Sequence, residues 1–119
     1  MNIRKLSKYD KEYLARNLNT SVETLAALAK DEDSYVRLGV ASNPNSPVGT
    51  LATLAKDDYW RVRCYVAENA NSTVEILAAI LQLELRGNWR RGILDGIFNH
   101  RNATDTIKAI IKTVLTPHL

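Results

Sequence analysis

The chain has 119 residues, 45% hydrophobic and 24% charged. That is enough for one self-sustaining core and unlike a disordered polymer. The net charge of +3 is too small by itself to imply nucleic acid, and all of the excess lies in the second half: residues 1–58 balance eight Lys/Arg against eight Asp/Glu, residues 59–119 hold eight against five. A single cysteine, Cys64, excludes an internal disulfide framework and a cysteine-ligated metal or iron–sulfur site within one chain.

The first segment, "MNIRKLSKYDKEYLARN", has no apolar stretch resembling a signal peptide, and nowhere do about 18 apolar residues follow one another as a membrane span requires. The expected compartment is the cytoplasm, with no membrane partner. Within this segment "YDKEYLARN" aligns with "YVRLGVASN" 26 residues on, so residues 1–16 read as a half-repeat acting as an N-terminal cap.

Residues 17–42 and 43–68 are two copies of one unit. They share 14 of 26 positions, opening at Asn17 and Asn43. A third copy opens at Asn69 and spans 69–98; a fourth opening, "NHRNATDTIKAII", begins at Asn99, displaced by 30. Self-similarity at this period marks stacked units that bury their apolar faces against each other. Each copy reads as two helices. Thr20, Ser46, Ser72 and Asn102 stand in register as N-caps, and Glu23, Glu75 and Asp105 follow three residues later as capping boxes; Gly49 breaks this in the second copy, where Pro47 suits a first helical position. Val22, Leu25 and Leu28, then Val48, Leu51 and Leu54, then Val74, Leu77 and Leu81, form one apolar face. These helices are predicted to end near Lys30, Lys56 and Arg86, the last stopped by Gly87. The second helices carry Val36, Val40, Ala41 and Val62, Val66, Ala67, with Tyr35, Leu38, Cys64, Tyr65 and Glu68 on the exposed side. Recurrent asparagines suit the turns that follow. The last segment, 99–119, is predicted as a single capping helix with Ile107, Ile110, Ile111 and Val114 inward.

"NPNSPVGTLATLAKDDYWRVRCYVAEN" resembles the leucine-rich repeat variant family, a short HEAT-like helical repeat of bacterial proteins. The Asn-Pro-Asn-Ser-Pro turn, the "LATLAKD" run and the "VRxxVAxN" run carry the resemblance, which covers about residues 9–82. It implies an all-α, right-handed α-solenoid. The iron–sulfur domain of one described member does not carry over, since the cysteines are absent. The third unit departs from the pattern between Leu83 and Phe98. Asp31 precedes Arg37, Asp57 precedes Arg63 and Glu84 precedes Arg90 by six residues each. HEAT-like repeats use such pairs to link layers, and a guanidinium fork can serve two acceptors at once, so Arg37 and Arg63 are read as structural.

The candidate partner-binding residues are Trp60, Arg61, Tyr65, Arg86, Trp89, Arg90, Arg91 and Arg101. "YWRV" and "LRGNWRRG" both set tryptophan beside arginine, suited to a peptide or to bases and phosphates. A second reading has both tryptophans filling gaps between repeats under arginine stems. Cys64 aligns with Leu38 and reads as a small apolar filler. Arg101, Lys108 and Lys112 extend the positive surface or, for the lysines, simply face solvent. Catalysis finds little footing: His100 and His118 lack spaced partners, the acids of "KDED" and "KDD" belong to turns, and no Gly-rich phosphate loop follows a strand. The expectation is a non-catalytic interaction module for a protein or peptide, alternatively for nucleic acid, with no cofactor, metal or small-molecule substrate.

Overall fold

A computed structural model describes residues 2–116. Among them lie a 3₁₀ turn, Ile3–Lys5, and eight α-helices with no strand: α1 (Lys8–Arg16), α2 (Val22–Leu28), α3 (Ser34–Ser42), α4 (Val48–Leu54), α5 (Trp60–Glu68), α6 (Val74–Arg86), α7 (Arg91–Phe98) and α8 (Asp105–Leu115). The body is elongated, 55 × 24 × 16 Å. The second helices stack directly, α1 on α3, α3 on α5 and α5 on α7, while α2, α4 and α6 each pack about equally on the second helices before and after them. Leu25, Leu51 and Leu77 are fully buried in successive layers, as are Leu28, Leu54 and Ile80. One continuous apolar seam therefore joins the layers.

The leading residues of the predicted apolar stripe are corrected. Val22 and Val48 are about half exposed, because the helix buries its face only from the second turn onward. Ile110 is likewise exposed, with Ile107 and Ile111 inward. Leu38, expected outside, is buried, since a second helix in this stack is covered by neighbours on both sides.

The caps also differ from expectation, by one residue at α2, α4 and α6 and by two at α8, where Thr104 stands in place of Asn102. Ser21, Thr73 and Thr104 accept the first-turn N–H of Thr24, Ile76 and Ile107, and Pro47 holds the cap position of α4. The hydroxyls of Thr20, Ser46 and Ser72 instead donate to the carbonyls of Leu14, Val40 and Val66, each at 2.6 Å. They close the end of the preceding helix, adding a second donor to carbonyls that also accept the N–H of Asn17, Asn43 and Asn69.

Two ladders tie layer to layer. In the first, the Asn43 side-chain amide donates to Ala15 O at 2.8 Å and Asn17 O at 3.1 Å, and Asn69 does the same to Ala41 O at 2.9 Å and Asn43 O at 3.0 Å. Each side-chain oxygen accepts the N–H two residues on, from Asn45 and Asn71 at 2.9 Å. The turns' asparagines are thus buried inter-layer links as well as local formers. In the next layer His100 takes the same part: its Nδ1 accepts from the Asn102 N–H at 3.0 Å, and its Nε2 lies 2.7 Å from Asn69 O. An acceptor at Nδ1 requires the proton at Nε2, which donates to that carbonyl. The fourth opening is therefore His100, displaced by 31 from Asn69 rather than Asn99 displaced by 30, and this histidine of the turn is a buried rung. His118 lies outside the described residues.

In the second ladder, Arg37 donates through Nε and Nη2 to Asp57 at 2.7 and 3.2 Å, and through Nη1 to Asp31 O at 2.8 Å. Arg63 repeats this with Glu84 at 3.1 Å and Asp57 O at 2.7 Å. Lys11, one period before Arg37, pairs with Asp31 at 2.9 Å. Hydrogen bonding to Asp57 strengthens the charged state of Arg37 against the burial that opposes it. Burial also opposes the ionised form of Asp31, but Lys11, the Asp33 N–H and Arg37 outweigh it and hold the carboxyl below the ordinary range. A carboxyl lowered by folding adds stability above its unfolded value and loses it as pH falls through the folded one. This rung is therefore at full strength near neutrality and fails in acid.

The α1–α3 contact depends on a missing side chain. A Cβ at Gly39 would meet the buried Ala15 Cβ at 2.7 Å and Arg16 Cγ at 3.3 Å; at Gly96 the nearest atoms, Glu68 Cγ and Ala67 Cβ, lie at 3.6 and 3.8 Å. Gly39→Ala is expected to destabilise by about 1–2 kcal/mol, overpacking outweighing the helix-propensity gain of about 1 kcal/mol. Gly96→Ala, without the clash, is expected to stabilise by up to about 1 kcal/mol. Urea unfolding of both variants checks the opposite signs.

Candidate partner-binding corner

The third unit departs from the pattern in a way that builds the site. Helix α6 has 13 residues against seven in α2 and α4. The carboxylate that pairs with Arg63 is consequently Glu84, nearly fully buried on the lengthened helix, and its other oxygen accepts the Arg90 N–H at 2.9 Å. Asp57 does the same for the Tyr59 N–H at 2.9 Å. So the expected Glu84–Arg90 pair exists through the backbone, and the Arg90 guanidinium is left to reach elsewhere. It lies 4.4 Å from the centre of the Trp60 ring, with Arg61 at 5.5 Å and the Tyr59 ring edge-on at 6.2 Å. Trp60 is half-buried against the core and carries two guanidinium groups. Cation–π contacts of this kind are worth about 0.5–1 kcal/mol at an exposed site.

The loop between α6 and α7 brings up the rest. Arg86 ends α6, Trp89 is 39% exposed, and Arg91 opens α7. Among the described residues, of Arg61, Arg86, Arg90 and Arg91 only Arg91 has a carboxylate within ion-pair distance, Asp95 at 3.7 Å, and that pair is largely exposed and correspondingly weak. Tyr65 lies four residues beyond Arg61 on α5, hence on the same helix face, and is exposed. Arg101 is not part of this corner. It sits in the turn between α7 and α8, at the opposite end of α7, and donates to Ala70 O at 3.2 Å. Cys64 is half-buried against the core; burial and the neighbouring Glu68 push its thiol up, away from a reactive thiolate.

Among the described residues no group of His, Cys, Asp and Glu is arranged to hold a metal ion, and no helix is long and apolar enough to cross a membrane. Comparisons with curated proteins and with solved structures find no match. The leucine rich repeat variant family model matches residues 36–58. That stretch runs from the first turn of α3 past the end of α4 and contains Asn43 of the first ladder and the Arg37–Asp57 pair of the second. The chain is thus similar to the leucine rich repeat variant family over residues 36–58.

Proposed function

We propose that the protein is a non-catalytic helical-repeat module, a right-handed solenoid working in the cytoplasm, that binds an acidic segment of a protein partner at the Trp60–Arg90 corner. One observation carries this reading. The arginines of the repeat pattern, Arg37 and Arg63, are bound to carboxylates, whereas among the described residues the arginines particular to this corner are not, apart from the exposed Arg91–Asp95 contact. Side chains that vary on a repeating scaffold are where a solenoid distinguishes partners. Arg61 and Arg90 are held in place by Trp60, and Trp89 and Tyr65 offer aromatic surface beside them, a composition typical of protein-binding hot spots.

A nucleic-acid reading is less well served. Both arginine contacts already occupy the Trp60 ring, which leaves Trp89 as the tryptophan able to stack on a base. Fluorescence anisotropy with a glutamate-rich peptide and with short single-stranded and duplex DNA, at low and higher salt, separates the two. The peptide is expected to bind, and Trp89→Ala combined with Arg91→Glu to weaken it at least about tenfold, the loss of two hot-spot contacts. Absence of peptide binding, or tighter DNA binding that falls steeply with salt, would overturn the proposal.

A further inference from the structure

Among the described residues the asparagine ladder has an unfilled position at either end, and the two are complementary. Asn17, Asn43 and Asn69 each present a main-chain carbonyl that accepts a side-chain donor from the following layer, Asn43, Asn69 and His100 respectively. Each of those carbonyls also accepts an N–H three residues on, from Thr20, Ser46 and Ser72. His100 O accepts the Ala103 N–H in the same way, but among the described residues it has no side-chain donor. At the other end the Asn17 side-chain amide, equivalent to those of Asn43 and Asn69, has no carbonyl acceptor among the described residues. A second row repeats this. Leu18 O, Pro44 O and Ala70 O receive Asn45, Asn71 and Arg101, which among the described residues leaves the Asn19 amide without a carbonyl at the head and Arg101 O without a donor at the tail.

Side-chain size follows the same register. Gly39 lies against Arg16 and Gly96 against Glu68. By the repeat, Tyr65 falls opposite Ser42, so a small residue meets a large one in each layer. The next pairing would set Asn99, at the tail, opposite Tyr13, at the head. Around Tyr13 the outer side of α1 forms a concavity of about 520 Å³ lined by Tyr9, Glu12, Tyr13, Arg16 and Asn17, in which Tyr9 and Tyr13 are 77% and 68% exposed.

We propose that copies of this chain associate head to tail, α1 of one copy packing on α7 of the next as α3 packs on α1. Asn17 and Asn19 donate to His100 O and Arg101 O of the neighbouring copy, and Tyr13 covers Asn99. Phe98 stands in the row held elsewhere by Ala15, Ala41 and Ala67, so this junction is wider than those inside the chain and weaker. The contact is heterologous and does not close on itself, so it builds an open series rather than a dimer. It uses the end of the stack and stands whether or not the Trp60–Arg90 corner binds a peptide.

Sedimentation velocity on the full chain tests it, from dilute solution to the solubility limit. The wild-type mass is expected to rise with concentration past that of a dimer. Tyr13→Arg and Asn99→Arg, both at exposed positions and checked for unchanged circular dichroism, are each expected to stay monomeric. Their equimolar mixture should form dimers and nothing larger, because one variant keeps its tail and the other its head. A monomeric wild type, a wild-type dimer that does not extend, self-association of either variant, or a mixture that stays monomeric would each overturn the proposal.

Discussion

Asn69→Asp is expected to unfold the protein more readily than Asn69→Ala, although aspartate has nearly the shape of asparagine. The amide of Asn69 donates to Ala41 O and Asn43 O in the preceding layer, and its oxygen accepts the Asn71 N–H. Alanine removes all three bonds and leaves buried groups unpaired, at a cost of about 2–4 kcal/mol. A carboxylate keeps the bond from Asn71 but turns a negative charge toward two carbonyl oxygens where a donor is needed. Because such a site disfavours the ionised form, the introduced carboxyl should titrate above its ordinary range and destabilise most at neutral and higher pH. Protonation restores a donor, so the gap between the two variants should narrow as pH falls. Urea unfolding of both at two pH values measures this. An Asn69→Asp variant as stable as wild type at neutrality would mean that the amide does not bridge the layers. Since domains of this size are stable by only about 5–15 kcal/mol, the aspartate variant sits near the limit of folding.

Glu84→Ala is expected to cost about 3–5 kcal/mol, the range for breaking a buried ion pair from one side. Its two oxygens hold Arg63 from the preceding layer and the Arg90 N–H at the start of the next helix. Losing them leaves the Arg63 guanidinium, already with an unpaired buried Nε, facing only carbonyls. A double-mutant cycle with Arg63→Met should return a coupling above about 1 kcal/mol, the size seen for groups in one network. The same change loosens the loop that lays Arg90 over Trp60, so tryptophan emission of the folded variant should shift to the red. Glu84→Gln, which keeps an acceptor oxygen, should lose less. Additive effects of Glu84 and Arg63 would show that the second ladder ends before the third unit.

The period of 26 and the leucines made the layered architecture readable from the chain; the spacing of six singled out Arg37 and Arg63 as structural, but the acid six residues before each supplies a main-chain carbonyl and the carboxylate comes from the next layer. Finer registration was not readable. "NTS" and "NST" each place two cap-competent residues side by side, and only the path of the preceding helix decides that the first closes that helix while the second opens the next. "NH" at 99–100 hides the rung because histidine, through Nδ1 and Nε2, reproduces an acceptor and a donor that asparagine carries on one amide. Leu38 looked outward because a single helical stripe does not reveal that a second helix is covered on two sides. For Trp60 the chain shows adjacent arginines, but the approach of Arg90 depends on the lengthened α6. Gly39 carries a signal of its own: a glycine inside a helix costs about 1 kcal/mol, which a close helix contact can justify.

The central claim is that buried side-chain amides join each layer to the one before it. Solvent exchange of asparagine side-chain NH₂ protons, followed by NMR, tests this most directly. The NH₂ protons of Asn43 and Asn69 should exchange far more slowly than those of the exposed Asn19 and Asn88, because each is buried against main-chain carbonyls. Equal, fast exchange at all four would contradict the account.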